Sequence, residues 1–149
     1  MQTPTRRTLL AFLALSPMAC SRRDAARPQA AAPAEVSRLI DHYARAYDVP
    51  ATLVHRVVQR ESGYNPAARN GPYYGLMQIL PQTAATMGYR GAPEGLLDAE
   101  TNLRYGVKYL RGAWLVARGN PDRAVMWYTK GYYYEAKRMG LLEETGLRA

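Results

Sequence analysis

The chain has 149 residues, room for one compact domain and little else, and its apolar share of 48% is that of a globular protein, not of a disordered one. Lys and Arg number 20 against 12 Asp and Glu, but five of the arginines precede residue 30, and the part from Ala34 onward carries only about +4. So small a surplus suits a carboxylate-bearing polymer and gives no case for nucleic acid as a partner.

Residues 1–20 read as an export signal. Arg6-Arg7 supply the positive segment, Leu9 to Leu15 form the apolar core, and small residues follow. That core is far shorter than the ~20 residues a membrane-spanning helix needs. Thr5-Arg6-Arg7-Thr8-Leu9-Leu10 also resembles a twin-arginine export motif. Cys20 is the one cysteine, so no internal disulfide can form, and no Cys/His cluster has zinc-ligand spacing. Neither a metal nor an organic cofactor is expected. Ser16-Pro17-Met18-Ala19-Cys20 resembles a bacterial lipoprotein cleavage site: Ala19 fits the small residue before the cysteine, while Pro17 departs from the usual aliphatic one. Lipidation at Cys20 and ordinary cleavage before residue 34 are both open. Either places the mature protein outside the cytoplasm, in the periplasm, with the membrane touched only through a lipid on Cys20. Residues 21–33, rich in Ala, Arg and Pro, read as a flexible linker.

Residues 34–149 read as a small all-α domain of five to six helices. Pro33 suits a first helical position, and Val36, Leu39, Ile40, Tyr43, Ala44 and Tyr47 recur at three-to-four spacing up to Asp48. Pro50 opens a second helix with Leu53, Val54, Val57 and Val58 on one face, His55, Arg56, Gln59 and Arg60 on the other, and Gly63 as its stop. His42 and His55 are far apart, lack a motif, and read as ordinary helix residues. Tyr64 to Tyr74 reads as a loop, marked by Asn65-Pro66 and Asn70-Gly71-Pro72. A third helix is expected over Leu76 to Met87, stopped by Gly88. Asp98 can cap a long fourth helix with the stripe Leu103, Gly106, Val107, Leu110, Ala113, Trp114 and Ala117. Gly119 ends it, and Pro121 starts a fifth helix through Ala124, Val125, Trp127 and Tyr128.

Glu61 falls on the wrong face. It lies seven, four and three residues after Val54, Val57 and Val58, so it belongs to the apolar side of the second helix. Burying a carboxylate unpaired costs several kcal/mol. Partial desolvation favours its protonated form and suits it to act as a general acid near neutrality. From periodicity alone two plainer fates stay open: a swing back into water at the helix end, or pairing with a nearby arginine.

Glu61-Ser62-Gly63-Tyr64-Asn65-Pro66, then Gly75-Leu76-Met77-Gln78-Ile79, then Pro81 with Thr83-Ala84, resembles the soluble lytic transglycosylases. The likeness continues through Asn102, Gly106 and Tyr109-Leu110 to Tyr128 and Gly131, in the family's order. The resemblance implies a lysozyme-like helical fold with a groove for peptidoglycan glycan strands, and Glu61 as the catalytic carboxylate. It would protonate the glycosidic oxygen between N-acetylmuramic acid and N-acetylglucosamine, then deprotonate the muramic acid C6 hydroxyl as that oxygen attacks C1. The product is a 1,6-anhydro end, and no second carboxylate is required. Along the chain Asp48 is the nearest acid before Glu61, and Glu94 and Asp98 are the nearest after it; those last two read as structural.

The resemblance also implies substrate-binding roles for Ser62, Gly75, Met77, Gln78 and Tyr128. Ser62 would bond near Glu61 or the sugar, although Ser at a helix end also serves as a local backbone partner. Gly75 would permit close backbone approach. Met77 would line the groove as a soft apolar contact, with core packing as the alternative from the residue alone. Gln78 would bond N-acetyl or hydroxyl groups. Tyr128 aligns with a tyrosine whose hydroxyl is expected at the catalytic carboxylate, while Thr129 stands where the family has asparagine. Asn102 and Gly106 are expected to organise helix packing. Tyr132-Tyr133-Tyr134, with Tyr73-Tyr74 and Trp127, read either as sugar-stacking surface or as packing. Two other functions share these features. A muramidase of the goose-lysozyme type would deliver water, and a peptidoglycan-binding protein with a degenerate site is suggested by Thr129.

Overall fold

A computed structural model of the chain describes residues 33–148. The export signal, Cys20 and nearly all of the linker lie outside the described residues. Within them the elements are α1 (Pro33–Ala46), α2 (Ala51–Ser62), the strands β1 (Arg69–Asn70) and β2 (Tyr73–Tyr74), α3 (Pro81–Thr86), a 3₁₀ turn (Pro93–Leu97), α4 (Ala99–Val116), α5 (Pro121–Lys130) and α6 (Tyr133–Met139). The all-α expectation agrees with this architecture. No helix among the described residues is long and apolar enough to cross a membrane.

Each long helix forms where its apolar spacing and end signals agree. α1 buries Val36, Ile40, Tyr43 and Ala44, and α2 buries Leu53, Val54, Val57 and Val58. α2 ends because Gly63 takes φ +58°, from which its N–H donates to the Gln59 carbonyl. Asp98 caps α4, its side chain accepting the Thr101 N–H at 2.8 Å. Asn120 does the same for α5 through the Arg123 N–H, just before Pro121 in the first turn.

The central element is α4, which packs against α1, α5, α6, α3 and the 3₁₀ turn. Its Leu103, Gly106, Val107, Leu110, Ala113 and Val116 are buried, and with the inward faces of α1, α2 and α5 they make the main core. Trp114, expected in that stripe, is only partly buried. A smaller cluster of Tyr74, Ile79, Ala84 and Leu96 sits under the connecting loops.

The third helix is shorter than its expected span. Leu76 to Leu80 are not helical: Tyr74 and Ile79 form an antiparallel bridge, with N–H···O bonds of 3.1 Å in both directions. Between them the chain reverses through Gly75 at φ +69° and Gln78 at φ +48°, and the Gln78 N–H donates to the Gly75 carbonyl. Pro81 explains the late start. Its ring disfavours helical backbone at the preceding residue, and Leu80 is extended at ψ 140°. The stretch read as one loop also holds a small hairpin, β1 pairing with β2 around Gly71-Pro72.

Candidate functional site

Glu61 occupies the last turn of α2 with its side chain 24% exposed. Its nearest cation is the Arg60 Nε at 3.8 Å, beyond hydrogen-bond length, and among the described residues no protein donor bonds its carboxylate. Loss of solvation is the larger influence and raises its pKa above the ordinary 4.5, with the Arg60 charge opposing. The group is therefore half-sheltered, without a firm partner, and biased toward holding a proton.

The residue that follows ties α2 to the reversing turn. The Ser62 hydroxyl donates toward the Leu76 carbonyl at 2.8 Å and lies 3.2 Å from the Val58 carbonyl. Ser62 is thus a backbone partner of the Gly75–Gln78 turn as well as of its own helix. Asn102, wholly buried on α4, holds the same turn from below. Its Oδ1 accepts the Met77 N–H at 2.9 Å, and its Nδ2 donates to the carbonyls of Tyr74 and Leu96, both at 2.8 Å. All of the amide's capacity but one lone pair is used. Gly75 packs against this amide: a Cβ there would run into Asn102 Nδ2 and the Leu96 carbonyl, and the positive φ is itself costly for a side chain.

Met77 requires a correction. Expected to line the groove, its side chain is fully buried, with Sδ against α4 where Gly106 leaves space; a Cβ on Gly106 would come within 2.6 Å of that sulfur. A flexible thioether fills such a gap easily. What Met77 offers the site is backbone. Its N–H goes to Asn102, and its carbonyl accepts the Tyr128 hydroxyl at 2.8 Å.

Tyr128, on α5, therefore spends its proton on Met77 and not on Glu61. Burial pushes its pKa well above 10, and the nearby Glu61 charge pushes in the same direction, which places the carboxylate in its electrostatic reach. Its ring meets Tyr109 edge-on at 5.4 Å, and Tyr109 in turn lies against Tyr132. The Gln78 Nε2 donates to the carbonyls of Ala68 and Gly75, at 3.1 and 2.9 Å, which leaves its Oε1 as the group without a bond among the described residues. Thr129 donates to the Val125 carbonyl of its own helix at 3.0 Å, so its hydroxyl does not replace the outward amide of an asparagine.

Of these residues Gln78, Tyr109, Tyr128 and Thr129 line a groove of about 350 Å³, together with Tyr73, Ile79, Leu80, Thr83, Lys130 and Gly131, while Glu61, Ser62, Gly75 and Met77 are not among its lining residues. Of the tyrosine run, Tyr132 is core, with its hydroxyl bonded to the Tyr109 carbonyl, while Tyr133 and Tyr134 are exposed. Tyr109, to which the sequence reading assigns no groove role, also lines the groove; its place one helical turn after Gly106 is the signal that marks it. The other acids stand apart from these contacts: Asp98 caps α4, Glu94 is exposed in the 3₁₀ turn, and Asp48 lines a separate cleft with Asp41, Arg45 and Trp114. His55 bonds the Tyr64 hydroxyl at 3.0 Å, and His42 is exposed against Tyr43. No cluster of His, Cys, Asp and Glu among the described residues has a metal site's arrangement.

The family profile described as Transglycosylase SLT domain matches residues 38–140. The soluble lytic murein transglycosylase of Salmonella typhimurium is 33% identical over 87 residues, which cover 53% of this chain and 13% of that protein. Its Escherichia coli counterpart is 32% identical over the same length. The membrane-bound lytic murein transglycosylase F of Shewanella woodyi is 37% identical over 95 residues, 59% of this chain and 19% of that protein. The alignments thus cover less than a fifth of each of these relatives. No solved structure matches.

Proposed function

The chain belongs to the Transglycosylase SLT domain family, and from that premise we propose that it is a peptidoglycan lytic transglycosylase with Glu61 as its catalytic carboxylate. The observation that carries the reading is the state of Glu61: half-buried, bonded by no donor among the described residues, and pushed toward its protonated form by desolvation in the last turn of α2.

The chemistry follows from one group used twice. Protonated Glu61 gives its proton to the oxygen linking C1 of N-acetylmuramic acid to N-acetylglucosamine, and the C1–O bond breaks with its electrons on the departing sugar. The C6 hydroxyl of the same muramic acid closes on C1, and the Glu61 carboxylate takes the proton that this oxygen releases. The carboxylate ends as it began. The products are one N-acetylglucosamine terminus and one 1,6-anhydromuramic terminus.

The remaining residues position this step. Tyr128 and Asn102 grip both sides of the Met77 peptide, Ser62 grips the preceding carbonyl, and Gly75 lets the turn lie close to α4. Gln78 presents its Oε1 to an N-acetyl N–H or a sugar hydroxyl. The segment of residues 1–20 fits export to the periplasm, with or without lipidation at Cys20. The test is digestion of purified peptidoglycan by wild type and Glu61→Gln, with products read by mass. Anhydromuramic ends from wild type and none from the variant are expected. Reducing muramic ends would mean a hydrolytic muramidase, and uncut wall retaining the protein would mean a binding protein.

A further inference from the structure

Away from the groove a second cleft opens beside Trp114. It has a volume of about 520 Å³, within the ~300–1,000 Å³ of small-ligand sites, and its walls include Asp41, Arg45, Asp48, Val49, Pro50 and Trp114. An adjoining hollow of about 350 Å³, with Leu53 and Pro121 on its walls, shares Pro50 and Trp114 with the cleft, so the indole borders both. Neither concavity shares a lining residue with the groove. On α4, Trp114 comes five residues after the groove's Tyr109, about 140° round the helix. On α2, Ala51 of the cleft stands about 15 Å from Glu61 along the axis.

The lining combines an aromatic surface with uncommitted polar groups of both kinds. Trp114 is only partly buried, and Val49 and Pro50 continue its apolar surface. Arg45 follows Asp41 by one helical turn and precedes Asp48 by three residues, yet it pairs with neither among the described residues. Two acceptor carboxylates and one donor fork therefore stay open to a ligand. A cationic ligand would meet Arg45, and an anionic one would meet both aspartates. A neutral sugar suits all three, because its hydroxyls both donate and accept while its C–H face packs on an indole. An N-acetyl substituent adds a carbonyl for Arg45 and an N–H for a carboxylate.

We propose that the Trp114 cleft is a second, non-catalytic glycan site that holds an N-acetylated sugar of a strand away from the point of cleavage. The inference rests on the glycan reading above for the polymer that supplies the sugar. It adds a contact that keeps the enzyme on its polymer while the groove is empty. Trp114 gives the packing surface, and Asp41, Arg45 and Asp48 give the orientation.

The experiment titrates tri-N-acetylglucosamine into the ¹⁵N-labelled full chain carrying Glu61→Gln and follows its amide and indole resonances. Two separate groups are expected to shift, one around Gln78 and Tyr128, the other around Arg45, Asp48 and the Trp114 indole N–H. Trp114→Leu is expected to weaken binding at the second group about 5-fold or more, as for the loss of one packed aromatic face. Arg45→Gln and Asp48→Asn are each expected to weaken it about 3-fold, and all three substitutions leave the groove group unchanged. Arg45 and Asp48 are exposed, and Asn tolerates the φ of +53° held by Asp48, so these two variants keep the fold. Shifts confined to the groove group, or a second group that none of the substitutions weakens, overturn the inference. Trp114 shifts that follow protein concentration without sugar would mark a contact between two copies and overturn it as well. If the second group binds sugar but wild type leaves peptidoglycan uncut, the proposed activity fails and the site stands.

Discussion

Replacing Asn102 with Ala tests how far the site depends on one buried amide. The side chain is wholly buried and makes three bonds, to the Met77 N–H and to the carbonyls of Tyr74 and Leu96. The Tyr74 carbonyl keeps a partner, since the Ile79 N–H also donates to it. The Met77 N–H and the Leu96 carbonyl lose theirs, and each buried group left unpaired costs about 1–3 kcal/mol. Two such groups give a loss of roughly 3–4 kcal/mol, a large share of the ~5–15 kcal/mol typical of a domain. For a domain of this size that corresponds to a fall in Tm of about 10–20 °C. Equilibrium urea unfolding followed by far-UV circular dichroism, with thermal melts alongside, measures it. Asn102→Asp keeps the acceptor but sets a carboxylate against two carbonyls, and is expected to be at least as damaging. A loss under about 1 kcal/mol for Asn102→Ala would refute the reasoning, because it would mean that the turn does not hang on this amide.

Gly75→Ala adds a Cβ against Asn102 and the Leu96 carbonyl at φ +69°, and is expected to cost more than about 2 kcal/mol in the same urea assay. Tyr128→Phe strips the Met77 carbonyl of its donor and is expected to lower stability by about 1–2 kcal/mol, with the ring packing against Tyr109 intact. For Glu61 the folded-state pKa lies above the ordinary 4.5 because burial disfavours the charge. The folded form then binds the proton more tightly than the unfolded one, so the relative stability is full below 4.5 and is lost as pH rises through the folded pKa. Glu61→Gln should accordingly melt above wild type at pH 7, with the gap closing under acid. Wild-type kcat/KM should fall as pH rises through the same raised pKa, and Glu61→Gln should lose at least ~10²-fold in kcat/KM.

Much of this molecule was legible because helix faces are written locally. The spacing of Val54, Val57 and Val58 put Glu61 on the inward side of α2, and its partial burial agrees. Asp98 and Pro121 marked helix starts that the structure keeps. Leu76 to Gln78 form a turn where local pattern predicts helix because what holds the turn is remote: Ser62 lies 14 residues before Leu76, Asn102 25 after Met77, and Tyr128 51 after it. No local window contains those partners. Leu80-Pro81 did carry a local warning, since a residue before proline resists helical backbone. Met77 could not be assigned from its own chemistry; Gly106, far along the chain, makes the space that takes its side chain into the core. Tyr128 was expected at Glu61, and its proton instead serves the Met77 carbonyl that borders the same site.

In the proposed reaction Glu61 drives closure of the muramic acid C6 oxygen on C1 without water entering the bond. Digestion of purified peptidoglycan in ¹⁸O-labelled water, with fragments read by mass, tests it directly. Unlabelled anhydromuramic ends from wild type and no fragments from Glu61→Gln are expected. Label at the muramic acid C1, or undiminished cutting by the variant, would contradict it.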